Sequence, residues 1–281
     1  MIWNVFLTIL KFVVGFMARS SALIADAVHS LSDFASDISV LIGLKVASKP
    51  VDHDHNYGHG KFETLAAIIV GFMLFLAGIG ILWNSIITIY DHFTGVPIFQ
   101  PGTIALYAII ASILVKEGLY RYTVISGKSL NSQVLIANAW HHRSDALSSI
   151  AVLIGVSGAI LLGERWVILD PISAGLVSIL ILKVAAQSSY DSFNELMEVS
   201  LGKERQKEIL ALVAEVPGVS IPHNLKTRKI GNTVAIDMHI KVDKDLSIVK
   251  AHDISTLVEN KLKEAFGAES FISIHVEPLI E

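Results

Sequence analysis

Residues 64–90, TLAAIIVGFMLFLAGIGILWNSIITIY, run for 27 positions without a charged side chain. As a helix they rise about 40 Å, more than the roughly 30 Å of a bilayer's hydrocarbon core. We read this stretch as a membrane span and place the rest of the chain around it. Residues 92–115 also lack Asp, Glu, Lys and Arg, and clear apolar stretches follow at about 146–163 and 166–182. Residues 1–18, MIWNVFLTILKFVVGFMA, hold one charge, Lys11. They lack the basic start of a signal peptide and lead straight into another apolar segment, so they are read as a short span. Six spans are expected, near 1–18, 20–47, 64–90, 101–125, 134–163 and 166–190.

The composition agrees. The chain of 281 residues is 52% hydrophobic and 17% charged, where ordinary globular proteins have about 25% charged residues. Residues 1–190 hold 22 of the charged side chains, while the shorter stretch 191–281 holds 26. A six-helix membrane domain over 1–190 is therefore expected to precede a soluble domain over 191–281. That last stretch has 11 Lys/Arg against 15 Asp/Glu, which argues against a nucleic-acid partner and leaves lipid as the first domain's surroundings. There is no cysteine, so neither a disulfide scaffold nor a thiolate metal centre is available. Any bound metal must use His and carboxylates.

Lys and Arg concentrate in two connections. Lys45, Lys49 and Lys61 follow span two, and Arg121 and Lys128 follow span four; residues 91–101 have none. This bias places those loops, both termini and the soluble domain in the cytoplasm. In the soluble domain 201–216 and 247–266 have helical patterns, the second closed by Gly267. HNLKTRKI and TVAIDMHIKV read as strands around a Gly231-Asn232 turn, with His223 at the very start of the first, and FISIHVEP reads as a third strand. The order α-β-β-α-β describes a small α+β layer with its helices on one sheet face.

Four clusters carry candidate chemistry. In span two, Asp26, His29, Asp33 and Asp37 are spaced 3, 4 and 4, so they share a helix face. In span five, Asn138, His141 and Asp145 repeat the spacing. A charge in mid-membrane costs at least ~2.5 kcal/mol, so both stripes belong against a bundle interior or a water-filled path. Two helices that each offer His and Asp at i, i+4 can converge on one four-coordinate ion, the geometry Zn²⁺ prefers. The alternative is a polar seam without a ligand. The loop PVDHDHNYGHGKFE packs Asp52, His53, Asp54, His55 and His59 into eight residues, as a formed site or a solvated tract. In the soluble domain His223, His239, His252, His275 and Glu277 are ligand-type residues, with His275 and Glu277 on one strand face.

Three of these stretches, SSALIADAVHSLSDFASD (20–37), VDHDHNYGHGKFETLAA (51–67) and NAWHHRSDALSSIAVLIG (138–155), resemble the cation diffusion facilitator family. The resemblance runs along essentially the whole chain and implies a proton-coupled exporter of divalent metal, built as a homodimer with a ferredoxin-like cytoplasmic domain. It implies a transport site on His29, Asp33, His141 and Asp145. It implies a loop site on Asp52, His55 and His59, and cytoplasmic sites on His223, His239, His252, His275 and Glu277. Lys61 resembles a position that forms an ion-pair lock between protomers, with Glu198 as its expected partner here. Many bacterial members carry Asp where this chain has His29, and the acidic ligand at Glu277 is often Asp. Zinc is the expected cargo and bound metal, moved against protons across the inner membrane, with no organic cofactor. Fe²⁺, Co²⁺, Cd²⁺ or Mn²⁺ is the alternative cargo, and a sensor that binds without transporting is the alternative function. Neither HExxH nor GxSxG occurs, which speaks against an intramembrane metalloenzyme.

Overall fold

The computed structural model describes residues 2–32, 34, 49, 52–129, 133–231 and 233–280. The chain forms two compact units, residues 1–38 with 69–188, and residues 39–68 with 189–281.

Helices lie at every expected span: α1 (Ile2–Ala18), α2 (over 21–32), α3 (Lys61–Phe93), α4 (Ile104–Ser129), α5 (Gln133–Leu161) and α6 (Leu169–Leu196). Of the second span only the part up to 32, and residue 34, is described. Among the described residues three stretches are long and apolar enough to cross a membrane, Lys61–Phe93, His142–Leu161 and Glu164–Leu196, while Trp3–Ala18 is apolar but shorter. The core of the first unit is made of small and β-branched side chains, among them Ala22 and Ala25 of α2, Ala108 of α4, Val152 of α5 and Ala174 of α6. Small residues suit helix contacts in lipid, where apolar tails give helices no hydrophobic reason to associate and close packing must supply it. Gly155 shows the consequence: a β-carbon there would collide with the Ser173 hydroxyl of α6. Phe72, Trp83, Leu114, Ile154 and Leu176 are exposed, surface that a bilayer solvates and water does not.

The start of α2 is held from a distant helix. Ser20 Oγ caps it locally by accepting from Leu23 N at 3.2 Å. The same hydroxyl donates to Asp170 Oδ1 of α6 at 2.6 Å, and the Asp170 carboxylate also accepts from Ser21 N (2.7 Å) and Ala22 N (3.3 Å). A buried carboxylate is thus stabilised by the free N–H groups and positive dipole end of α2.

The second unit contains α7 (Lys203–Ala214), β1 (Ile221–Ile230), β2 (Thr233–Asp243), α8 (Ile248–Phe266) and β3 (Phe271–Leu279), the expected α-β-β-α-β order. The sheet order is β1-β2-β3, with β1 antiparallel and β3 parallel to the central β2. Ile236, Met238, Ile240 and Val242 alternate along β2 and are buried in one core with Ile209 and Val213 of α7 and Val258 and Leu262 of α8. Both helices therefore cover the same sheet face, and Asp237, His239 and Lys241 point to the other. β1 starts two residues earlier than the pattern implied, because pairing with β2 already begins at Ile221↔Lys241, and His223 therefore lies inside the strand and not at its edge.

Asp170→Ala should leave the first N–H groups of α2 without their acceptor and cost about 1–3 kcal/mol. Thermal unfolding of the detergent-solubilised protein checks this, and Asp170→Asn, which keeps one acceptor oxygen, should lose less.

Candidate metal centres

In the first unit, His29 on α2 is half-buried, and its Nδ1 is enclosed without a hydrogen-bond partner. Asp145 on α5 is buried, and its Oδ2 lies 2.7 Å from Lys116 Nζ of α4. Asp33 and the side chain of His141 lie outside the described residues. A second buried pair joins α1 to α2: Lys11 Nζ is 2.8 Å from Asp26 Oδ2. Lys11 Nζ also donates to Ser30 Oγ (3.1 Å) and Ser149 Oγ (3.4 Å), and Ser149 Oγ of α5 donates to the Asp26 carboxylate at 3.1 Å. This network joins α1, α2 and α5 at a point three residues before His29 and four residues after Asp145. Lys11 and Lys116 were not singled out from sequence. The available signal was a basic residue set in an apolar run, which requires a buried acid somewhere in the bundle.

The loop before α3 is a formed structure. Asp52 Oδ1 accepts from Asp54 N (3.1 Å), His55 N (2.7 Å) and His55 Nδ1 (3.1 Å), while Oδ2 lies 3.2 Å from His59 Nε2. This is the turn an Asp makes by binding backbone two and three residues ahead. Gly58, with φ 73°, reverses the chain and donates to His55 O at 2.9 Å. The reversal brings His59 back onto His55, with ring centroids 4.3 Å apart. One ligand atom from each of Asp52, His55 and His59 lies within 4.8 Å of the others. His59 is buried, and its Nδ1 has no hydrogen-bond partner. The His55 backbone N–H, its strongest influence, holds the Asp52 carboxyl below the usual carboxylate range. His53 and Asp54 are exposed and stand outside this group.

On the open face of the sheet, strand register assembles the third cluster. His223 of β1 pairs with His239 of β2, which pairs with His275 of β3, so three imidazoles stand in one row. Glu277 is two residues along β3 on the same face. Ligand atoms of His223, His239 and Glu277 lie within 4.8 Å of one another. His239 Nδ1 is 2.9 Å from Glu277 Oε1, and Asn224 Nδ2 is 3.1 Å from His239 Nε2, contacts that the Nδ1–H tautomer satisfies. Asn224 reaches there because a bulge after His223 puts it at φ 48°. His275 Nε2 is farther out, 3.8 Å from Glu277 Oε1. His252 is exposed on α8 and is not part of this group. The hydrogen bond from His239 is the largest influence on Glu277 and holds its carboxyl below the ordinary value.

Lys61 Nζ is 2.8 Å from Glu198 Oε1 of the same chain. Glu198 takes a left-handed conformation, φ 59°, just beyond the end of α6, and reaches both Lys61 and, at 3.8 Å, Arg228 of β1. The Lys61 hydrogen bond and charge hold its carboxyl low, with a smaller pull from Arg228. Glu195, missed by sequence reasoning, accepts from Thr64 Oγ1 (2.6 Å) and Gly231 N (3.1 Å) and pairs with Lys229 (3.1 Å).

A profile of the cation efflux transmembrane domain matches residues 1–197, and one of the cation efflux cytoplasmic domain matches residues 201–279. The chain belongs to the cation diffusion facilitator family. As a member it is an integral membrane protein. It is 35% identical to metal tolerance protein C1 of Arabidopsis thaliana over 97% of its own length, but spans only 59% of that relative. It is 34% identical to the manganese efflux system protein MneP of Bacillus subtilis (strain 168), over all of this chain and 94% of that one. A crystal structure of the cytosolic domain of a cation diffusion facilitator family protein is 30% identical over 27% of this chain and 90% of that one, with a TM-score of 0.25.

A divalent cation held by His223, His239 and Glu277 should lose affinity as the pH falls, because metal and proton compete for the imidazole nitrogens. Glu277 should not contribute to the first part of that loss, because a carboxyl held below its usual value stays ionised until the pH has fallen further. Metal titrations of the protein across a pH series check it; an affinity independent of pH would exclude histidine ligation.

Proposed function

We propose that this cation diffusion facilitator is a zinc exporter that exchanges zinc for protons by alternating access, through a membrane domain over 1–190. The carrying observation is the hydrogen bond between Ser149 and Asp26, which ties α5 to α2. Alternating spans make these helices antiparallel. From that contact His29 and Asp145 step off in the same direction, by about 4.5 and 6 Å along their axes. Asp33 and His141 lie four positions from these two in sequence, and together they would make a His₂Asp₂ set with two negative charges for a divalent ion. A homodimer in the inner membrane, with both termini and the domain over 191–281 in the cytoplasm, fits the Lys and Arg bias of the loops.

Proton exchange follows from the ligands. Metal binds imidazole only in its deprotonated form, so zinc entering from the cytoplasm displaces protons from His29 and His141. On the outer side, incoming protons compete for the same nitrogens and release the ion. Bound zinc at the loop and sheet clusters would act on the cytoplasmic half, not on the cargo path.

Manganese is the second reading, since a relative matching the whole chain is named for manganese efflux. Ligand type separates the two: imidazole suits zinc, while manganese prefers more oxygen donors. Proteoliposomes with an imposed pH gradient and a panel of metals test both. Zinc flux that dissipates the gradient is expected, and Asp145→Ala should reduce it at least 100-fold while the protein still runs as a folded dimer. A protein that binds zinc yet moves no metal would be a sensor.

A further inference from the structure

We propose that Arg143, framed by Tyr120 and Trp140, holds the phosphate of an anionic phospholipid on the membrane face of α4 and α5. The site is independent of which ion the protein carries. Along α5 the exposed apolar side chains Trp140, Leu147 and Ile154 recur every seven positions, which makes them one stripe of the helix. Arg143 stands three residues after Trp140 and four before Leu147, so it falls on that stripe. On α4 the exposed Tyr107 and Leu114 are spaced in the same way, and Arg121, seven residues further, continues their line with a side chain 74% exposed. The apolar stretch of α5 begins at His142, so Arg143 lies at its edge, the depth at which aromatic and basic side chains meet headgroups.

The local geometry holds the guanidinium but does not neutralise it. Arg143 Nη1 donates to Tyr120 Oη at 3.0 Å, and the guanidinium carbon lies 4.7 Å from the Tyr120 ring centre and 5.4 Å from that of Trp140. The two rings pack edge to face with centroids 5.7 Å apart, so the frame is itself fixed. Among the described residues Arg143 pairs with no carboxylate, and the Tyr120 hydroxyl is its only hydrogen-bond acceptor. A guanidinium offers its donors as a planar fork, and a phosphate takes two of them at once. A cation at the edge of the hydrocarbon core is costly without an anion, and lipid phosphates lie at that depth. Charge then selects the lipid. Arg121 is balanced by Glu117 at 2.9 Å, which leaves Arg143 as the surplus charge of the group. An anionic headgroup neutralises it, while a zwitterionic one brings an ammonium of its own.

Native mass spectrometry of the full chain in detergent tests the site, with phosphatidylglycerol and phosphatidylcholine of the same acyl chains, or inorganic phosphate, added in turn. The wild type should retain phosphatidylglycerol about fivefold over phosphatidylcholine, the contribution of one arginine at an anionic surface. Arg143→Gln should abolish that preference. Trp140→Ala, which keeps every charge but opens the frame, should weaken it, and decides the matter if Arg143→Gln does not fold. Arg165→Gln removes a charge at the opposite end of α5, where no such frame is described, and should leave most of the preference in place. A wild type without the preference, or an unchanged preference in folded Arg143→Gln or in Trp140→Ala, overturns the site. So does an equal loss in Arg165→Gln, which would mean general surface charge, or displacement of the bound lipid by inorganic phosphate.

Discussion

An ionised group inside an apolar bundle must be met by an opposite charge or by donors and acceptors, and this constraint orders the first unit. Lys11 meets Asp26, Lys116 meets Asp145, and Asp170 meets the N–H groups at the start of α2. Each contact bridges different helices, so the charges that would destabilise a single span hold several together. A divalent cargo enters a bundle already built on this rule. On the proposed function, two carboxylates and two imidazoles would bring its charge close to zero.

The two candidate sites of the second unit work under the opposite condition. Asp52, His55, His223 and Glu277 are at least partly in contact with solvent, where an ion pair alone is weak. Geometry therefore has to come from the backbone. In the loop, the turn closed on Asp52 and the reversal at Gly58 bring His59 back onto His55. In the sheet, register places His223, His239 and His275 side by side, and the bulge lets Asn224 orient the middle imidazole. Both clusters are prearranged by hydrogen bonds that do not involve metal.

Patterns with a short period were legible in the sequence. The helices that carry His29 and Asp145 follow from the apolar runs around them, and the shared face of His275 and Glu277 follows from the strand repeat. The helix–strand order of the second unit was legible for the same reason. Contacts that depend on which elements become neighbours were not. Nothing in FISIHVEP says that β3 will lie parallel to β2 and set His275 beside His239. Nothing near Lys116 in sequence names Asp145, and the cap that Asp170 places on α2 crosses about 150 residues of chain. Lys61 and Glu198 were matched by charge and position, but the left-handed turn at Glu198 that also brings it to Arg228 was not announced by the sequence around it.

The central claim is that one ion sits between α2 and α5 on two imidazoles and two carboxylates. Zinc K-edge absorption tests it most directly, on a variant in which Asp52, His59, His239 and Glu277 are replaced by Ala so that the bundle alone can bind. The account predicts one zinc per chain with four neighbours at about 2.0–2.2 Å, two of them imidazole nitrogens. A variant that retains no zinc, or a six-oxygen shell without imidazole scattering, would contradict it.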